Sequence, residues 1–240
     1  MGTIQGSGGD WREGFILHRR PWRETSLWLE VFTPDLGKVA LLAKGVRRSN
    51  RGGNGLLQPF QPLLMRWREK GDLGNLITAE ALDHRLHLTG PALYCGFYLN
   101  ELLSRLLERH DPHPGLYREY CQSLSALSQG EALENCLRCF EVRLFAEIGY
   151  GLILDHEVEY GTAVVPTACY RYHPERGPIR DDKGWLHGQT LLALSQRRLE
   201  TPVVRREAKR LLRGLIDHRL EGRALKSRAL FRKRMGKHEP

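Results

Sequence analysis

The spacing of apolar and polar positions changes character twice along this 240-residue chain. Between Phe15 and Arg48, in FILHRRPWRETSLWLEVFTPDLGKVALLAKGVRR, the period is two. Thr25 to Thr33 puts Leu27, Leu29 and Val31 on one face and Trp28, Glu30 and Phe32 on the other, as in a strand whose sheet has two unlike faces. Thr33-Pro34-Asp35-Leu36-Gly37 supplies turn residues, and apolar positions resume at Val39 to Ala43. The stretch therefore predicts three short strands. Beyond a loop from Ser49 to Pro59, a strand is expected at Pro62 to Arg68, a turn at Lys70-Gly71-Asp72 and a last strand near Leu76 to Ala81. Five short strands with one longer connection fit an OB-type barrel. A small SH3-like barrel fits the same pattern.

From Gly90 the period becomes helical. Leu99, Leu102, Leu103, Leu106 and Leu107 mark one apolar helix face, Pro91 suits its first turn, and the Asp111-Pro112-His113-Pro114-Gly115 cluster ends it. A second helix turns Leu116, Tyr120, Cys121, Leu124 and Leu127 inward. A third runs from about Glu131 to Ile148, with Leu133, Cys136, Leu137, Phe140, Leu144 and Ile148 inward, and stops at Gly149 and Gly151. Short connections between them imply antiparallel packing. Residues 152–186 are rich in Gly, Pro, Tyr and His, and predict an irregular β-hairpin insert with Cys169 to His173 extended. Helix returns at Gly188 to Arg198 and at Pro202 to Leu220, where Val204, Ala208, Leu211, Leu212 and Leu215 form an apolar stripe. The fold class is α+β. A flexible tail at 1–10 precedes an OB-fold barrel at 11–82 and a mostly helical domain at 83–240, which carries the irregular insert at 152–186.

Composition removes some classes. No run of about eighteen apolar residues exists, so a transmembrane helix is not expected. MGTIQGSGGD at the start lacks the apolar region of a secretory signal. Five cysteines, an odd count, mostly within helical pattern, fit reduced thiols in the cytoplasm rather than a disulfide framework. The net charge of +9 is uneven: 12 Lys/Arg against 8 Asp/Glu in residues 1–80, 12 against 16 in 81–200, and 13 against 4 in 201–240. Basic ends around an acidic middle suggest a polyanion partner, with a merely solubilising surface as the plain alternative.

Motifs of covalent chemistry are missing. There is no Gly-x-x-x-x-Gly-Lys-Ser/Thr, no Gly-x-Ser-x-Gly and no His-Glu-x-x-His, so the chain does not read as an enzyme. Cys136-Leu137-Arg138-Cys139 could be half of a zinc site, but no second pair exists, Cys136 belongs to the apolar face, and the pair reads better as a core thiol and its neighbour. Trp22, Trp28, Phe32, Phe60 and Trp67 could stack bases if exposed, although such aromatics are more often core.

Longer segments carry a family likeness. FILHRRPWRETSLWLEVFTPDLGKVALLAKGVRRS, LLQPFQPLLMRW, YCGFYLNELLSRLL, CLRCFEVRLFAEIGYG and LKSRALFRK, in that order, resemble the RecO family of DNA repair proteins from Trp11 to about Met235. Tyr98-Leu99-Asn100-Glu101-Leu102, Gly149-Tyr150-Gly151 and Leu225-Lys226-Ser227-Arg228 are the most specific pieces. The resemblance implies an OB domain followed by a helical domain, and a recombination mediator of the RecF pathway that consumes no cofactor. It implies binding of single- and double-stranded DNA, annealing of complementary strands, engagement of the C-terminal tail of single-stranded DNA-binding protein (SSB), and RecA loading with RecR, in the cytoplasm on the nucleoid. Many members carry a four-cysteine zinc site after the Gly-Tyr-Gly turn. Here only Cys169 remains, with His156 and His173 nearby, so this chain looks like a branch without the metal, and no metal site is expected.

Candidate residues follow. Lys44, Arg47, Arg48, Arg51 and Arg66 crowd one predicted loop and an adjoining strand and are expected to bind DNA phosphates. Arg205, Arg206, Lys209 and Arg210, opposite the apolar stripe of the last helix, are expected to extend the DNA path. The resemblance places the SSB tail at Arg138, with Leu137 and Phe140 as helix neighbours; an arginine fork suits a carboxylate. The alternative for Arg138 is a solvated helix-face charge. Two other classes compete: a scaffold whose basic ends face an acidic protein, and a nuclease, which needs a carboxylate cluster that the basic ends lack.

Overall fold

A computed structural model of the chain describes residues 9–48, 53–82 and 86–230. Most of the expected tail at 1–10 and the candidate Arg51 lie outside the described residues. Contacts divide the chain into two compact units, Met1–Leu124 and Ser125–Pro240. No described helix is long and apolar enough to cross a membrane.

In the first unit, β1 (Arg12–Trp22), β2 (Ser26–Thr33), β3 (Gly37–Ala43), β4 (Pro62–Arg68) and β5 (Gly74–Ala81) close into a barrel of order β1-β2-β3-β5-β4. All neighbours are antiparallel except β3 and β5, which run parallel with Leu41 opposite Gly74 and Leu42 opposite Asn75. That parallel contact, which a simple meander does not make, marks the barrel as OB-like and bears out the sequence reading. The expected loop at Ser49 to Pro59 contains one helical turn, α1 (Gly53–Leu56). Leu27, Leu29 and Val31 point inward with Ile16, Val39, Leu41, Leu63, Met65 and Trp67 to form the barrel core. At the β2–β3 turn, Thr33 Oγ1 accepts from the Leu36 amide at 3.1 Å. Gly37 there has φ +65, and a Cβ on it would fall 1.9 Å from the Asp111 carbonyl oxygen, so only glycine fits.

The second face of β2 is covered at Glu30 and Phe32. Two helices of the same unit, α2 (Gly90–Leu106) and most of α3 (Pro114–Ser128), group with the barrel. Phe15 and Phe32 face each other across β1 and β2 and pack against Tyr117 and Tyr120 of α3, with ring centroids 5.2 to 6.2 Å apart. Three of the four are edge-on, a favourable aromatic geometry, and Phe15 with Tyr117 is tilted. Glu30 is buried and accepts from Ser104 of α2. The unlike faces seen in the sequence are therefore an aliphatic interior and an aromatic, polar exterior under helices.

The second unit holds α4 (Leu133–Glu147), a three-stranded sheet of order β7-β6-β8, and two further helices. The strands are β6 (Cys169–His173), β7 (Gly177–Arg180) and β8 (Leu186–His187). The expected hairpin insert is thus present, with β8 added to its edge. Helix α5 (Gly188–Ser195) leads to α6 (Pro202–Arg219). Thr201 caps α6 by accepting from the Val204 amide, and Pro202 starts it. Val204, Ala208, Leu211, Leu212, Leu215 and Ile216 are all buried, as the amphipathic pattern requires.

Candidate nucleic-acid interface

A cleft of about 850 Å³ opens at one end of the barrel. Its walls come from the β1–β2 turn (Arg23, Glu24, Thr25), the end of β3 (Leu42, Lys44) and the β4–β5 turn (Lys70, Leu73), with Trp22, Ser26 and Asn75 between them. Arg23, Lys44 and Lys70 give it three cations against one anion, Glu24. The segment after β3 is held in place from the backbone. The Arg47 amide donates to the Thr25 carbonyl at 3.0 Å, its guanidinium donates to the Arg23 carbonyl at 3.2 Å, and the Arg48 amide donates to Gly45 at 3.1 Å. Lys44, Arg47 and Arg48 are all exposed. A cationic rim fixed by main-chain bonds is suited to hold phosphates without ordering itself at the moment of binding.

The structure brings together three of the five barrel cations singled out by sequence. Arg66 stands apart: it is half-buried on β4, its guanidinium 5.6 Å from the centroid of Trp11, and its Nε is buried without a hydrogen-bond partner. Lys38 is withdrawn from any surface role. It is 6 % exposed, donates to the Ser104 carbonyl at 2.5 Å, and burial pushes its pKa down despite the nearby Glu30. The sequence reading passed over Arg20, Arg23 and Lys70. Arg20 and Trp22 share a strand face by period two, a legible signal. Lys70 reaches the cleft through the parallel β3–β5 pairing, which no local pattern announces.

In the second unit the charged side of α6 is exposed at Arg206, Lys209 and Arg210, while Arg205 is half-buried. Two of these cations already have partners. Lys209 pairs with Glu134 at 2.5 Å, and the Arg210 guanidinium lies 4.1 Å from the Trp185 ring centroid. Glu207, the single acid among them, faces inward and is buried. It accepts from Thr190 at 2.6 Å and from the His187 amide at 3.1 Å, and its Oε1 lies 2.6 Å from His187 Nδ1. Burial opposes its charge, but these bonds outweigh it and hold the carboxyl below its ordinary value.

Leu137, Arg138 and Phe140 lie together on the buried face of α4. Arg138 is 6 % exposed and donates to Glu141, itself fully buried, at 2.7 Å, while its Nε is buried without a hydrogen-bond partner. The solvated-charge alternative for Arg138 is therefore corrected: burial pairs it with a carboxylate one helical turn away.

The residues after the Gly-Tyr-Gly turn do not fit a zinc site. Among the described residues no three His, Cys, Asp or Glu side chains gather to hold a metal ion. His156 pairs with Asp155, and His173 Nδ1 accepts from the Glu175 amide. The segment is organised by hydrogen bonds instead. Glu157 accepts from the amides of Glu159, Tyr160 and Thr162 and from the Thr162 hydroxyl, and the buried Tyr170 hydroxyl accepts from the Val165 amide at 2.8 Å.

The family model described as Recombination protein O N terminal matches residues 11–85, and that described as Recombination protein O C terminal matches residues 87–229. A protein of Methylococcus capsulatus described as DNA repair protein RecO is 51% identical over 220 residues, 91% of this chain and 91% of its own length. Proteins of the same description from Nitrosospira multiformis and Nitrosococcus oceani are 45% identical over 224 residues (91% of this chain, 93% of theirs) and 46% identical over 222 residues (90% of each). With the barrel matched by the N-terminal model and nearly all the described residues after it by the C-terminal model, the chain belongs to the recombination protein O (RecO) family.

Proposed function

We propose that this chain is a DNA-binding recombination mediator of the RecF pathway, acting on the nucleoid in the cytoplasm. It binds single- and double-stranded DNA, anneals complementary strands, engages the SSB tail and promotes RecA loading with RecR. It catalyses no covalent step and uses no cofactor. The cationic cleft at the barrel end supports this reading most directly. Lys44, Arg23 and Lys70 line it, Arg47 and Arg48 are exposed in the segment that follows Lys44, and each phosphate these cations neutralise releases counterions. Arg51 and Arg66 add charge to the same domain, and Arg205, Arg206, Lys209 and Arg210 add a second basic surface. The SSB tail, apolar and ending in a carboxylate, docks at Leu137, Arg138 and Phe140. Because Arg138 is already bonded to Glu141, the tail carboxylate competes with an internal one.

The test is annealing of complementary oligonucleotides coated with SSB, with and without excess free SSB tail peptide. Annealing suppressed by the peptide is the expected result. Annealing of naked strands alone sinks the tail site and keeps the DNA role; no annealing in either case sinks the mediator reading.

A further inference from the structure

We infer that the outer face of the barrel around Trp22 is a seat for one unstacked base of single-stranded DNA, which makes the barrel prefer single strands to duplex. The inference deepens the proposed DNA-binding role and rests on it. Two adjacent cross-strand rows build the seat. Arg20, Trp28, Leu42 and Asn75 are successive register partners across β1, β2, β3 and β5. In the next row Trp22 is opposite Ser26, and Lys44, just past the end of β3, lines the same cleft. Directly opposed residues share a face of the sheet, so the rows form one continuous surface that runs into the cleft.

That surface combines three features. The Arg20 guanidinium lies 4.7 Å from the centroid of Trp28 and 5.6 Å from that of Trp22, so one cation ties two indoles together. Trp22 is half-buried, held by this contact, and still lines the cleft. Asn75 brings a neutral hydrogen-bonding group to the same cleft, fit for a base edge, and Lys44 and Lys70 bring charge for the flanking phosphates. A duplex cannot use such a seat, because its base faces are stacked and its pairing edges are occupied. The remaining candidate aromatics cannot serve: Phe32, Phe60 and Trp67 are 0%, 6% and 4% exposed.

The experiment measures binding of the full chain by fluorescence anisotropy. The probes are a labelled thymidine oligonucleotide, the same length containing abasic sites, and a duplex of that length, each over a salt series. Trp22→Ala should weaken binding to the intact single strand about fivefold or more. Its loss of duplex affinity should be several-fold smaller, and its salt slope should not change. Trp22→Phe should retain most of the affinity. The wild-type chain should bind the abasic strand as weakly as Trp22→Ala binds the intact one, with no further loss when the two are combined. Equal affinity of the wild-type chain for abasic and intact strands overturns the seat, and this comparison needs no variant to fold. Equal losses by Trp22→Ala on single strand and duplex also overturn it. A wild-type chain that binds none of the probes overturns the DNA role itself.

Discussion

Asn100 of α2 joins three elements of the first unit, and its replacement by leucine tests how they are held. The register of β1 against β2 shifts between Ile16 and His18. At that irregularity Asn100 Nδ2 donates to the Leu17 carbonyl at 3.0 Å, and its Oδ1 accepts from the fully buried Tyr120 hydroxyl of α3 at 2.6 Å. Asn100 itself is 2 % exposed. Leucine keeps the volume but removes a donor and an acceptor, and each buried group that loses its partner costs about 1–3 kcal/mol. With the apolar gain of leucine counted, Asn100→Leu should cost about 2–5 kcal/mol. Four of the five tryptophans lie in the barrel segment, so tryptophan fluorescence in a urea titration follows this unit, and the midpoint should fall by about 1–2 M. Adding Tyr120→Phe removes the hydroxyl that lost its acceptor and should return about 1 kcal/mol. A loss below about 0.5 kcal/mol for Asn100→Leu, or no recovery in the double variant, would refute this account of the Tyr-Leu-Asn-Glu-Leu segment.

Replacing Lys44, Arg47 and Arg48 together by alanine should lower the slope of log affinity against log salt by about 2 on single strands; an unchanged slope removes them from the interface. Arg138→Ala should cost about 3–5 kcal/mol in thermal or urea unfolding, because the buried Glu141 loses the guanidinium that donates to it, whereas Arg138→Met with Glu141→Leu should recover most of that loss. If the double variant folds and binds the SSB tail peptide with full affinity, the tail does not use Arg138. The carboxyl of Glu207 is held below its ordinary 4.5, so the folded state takes up its proton at lower pH than the unfolded chain does. Its contribution is complete above that value and is lost as the pH falls through the lowered one. The stability gap between the wild-type chain and Glu207→Gln should therefore narrow from about pH 6 to about pH 3, measured by urea midpoints; a constant gap would refute the assignment.

Much of the candidate site was legible as charge and much of its use was not. Lys44, Arg47 and Arg48 stand out because they end a strand in a polar loop, and they are where the rim forms. Leu137, Arg138 and Phe140 are helix neighbours on paper, but helical spacing alone did not say that Arg138 turns inward to Glu141. The basic stripe of α6 follows from a period of 3.6, yet that period cannot show that Lys209 meets Glu134 or that Arg210 lies against Trp185. These partners come from 75 and 25 residues away, beyond the reach of any local pattern.

The sequence by itself determined the elements and their order. Period two with turn residues set the five strands, period 3.6 with Pro and Gly set the long helices, and Cys169–His173 was a strand by composition alone. Local sterics and hydrogen bonding favour these choices within a few residues, so they can be read residue by residue. Only the tertiary structure decided what covers what. Phe32 is core because Tyr117 and Tyr120 arrive on its far side, Asn100 matters because β1 slips beneath it, and Lys70 stands beside Lys44 because β5 joins β3 in parallel. Each of these is a pairing between distant segments, fixed by burying apolar surface and satisfying buried polar groups across the whole unit.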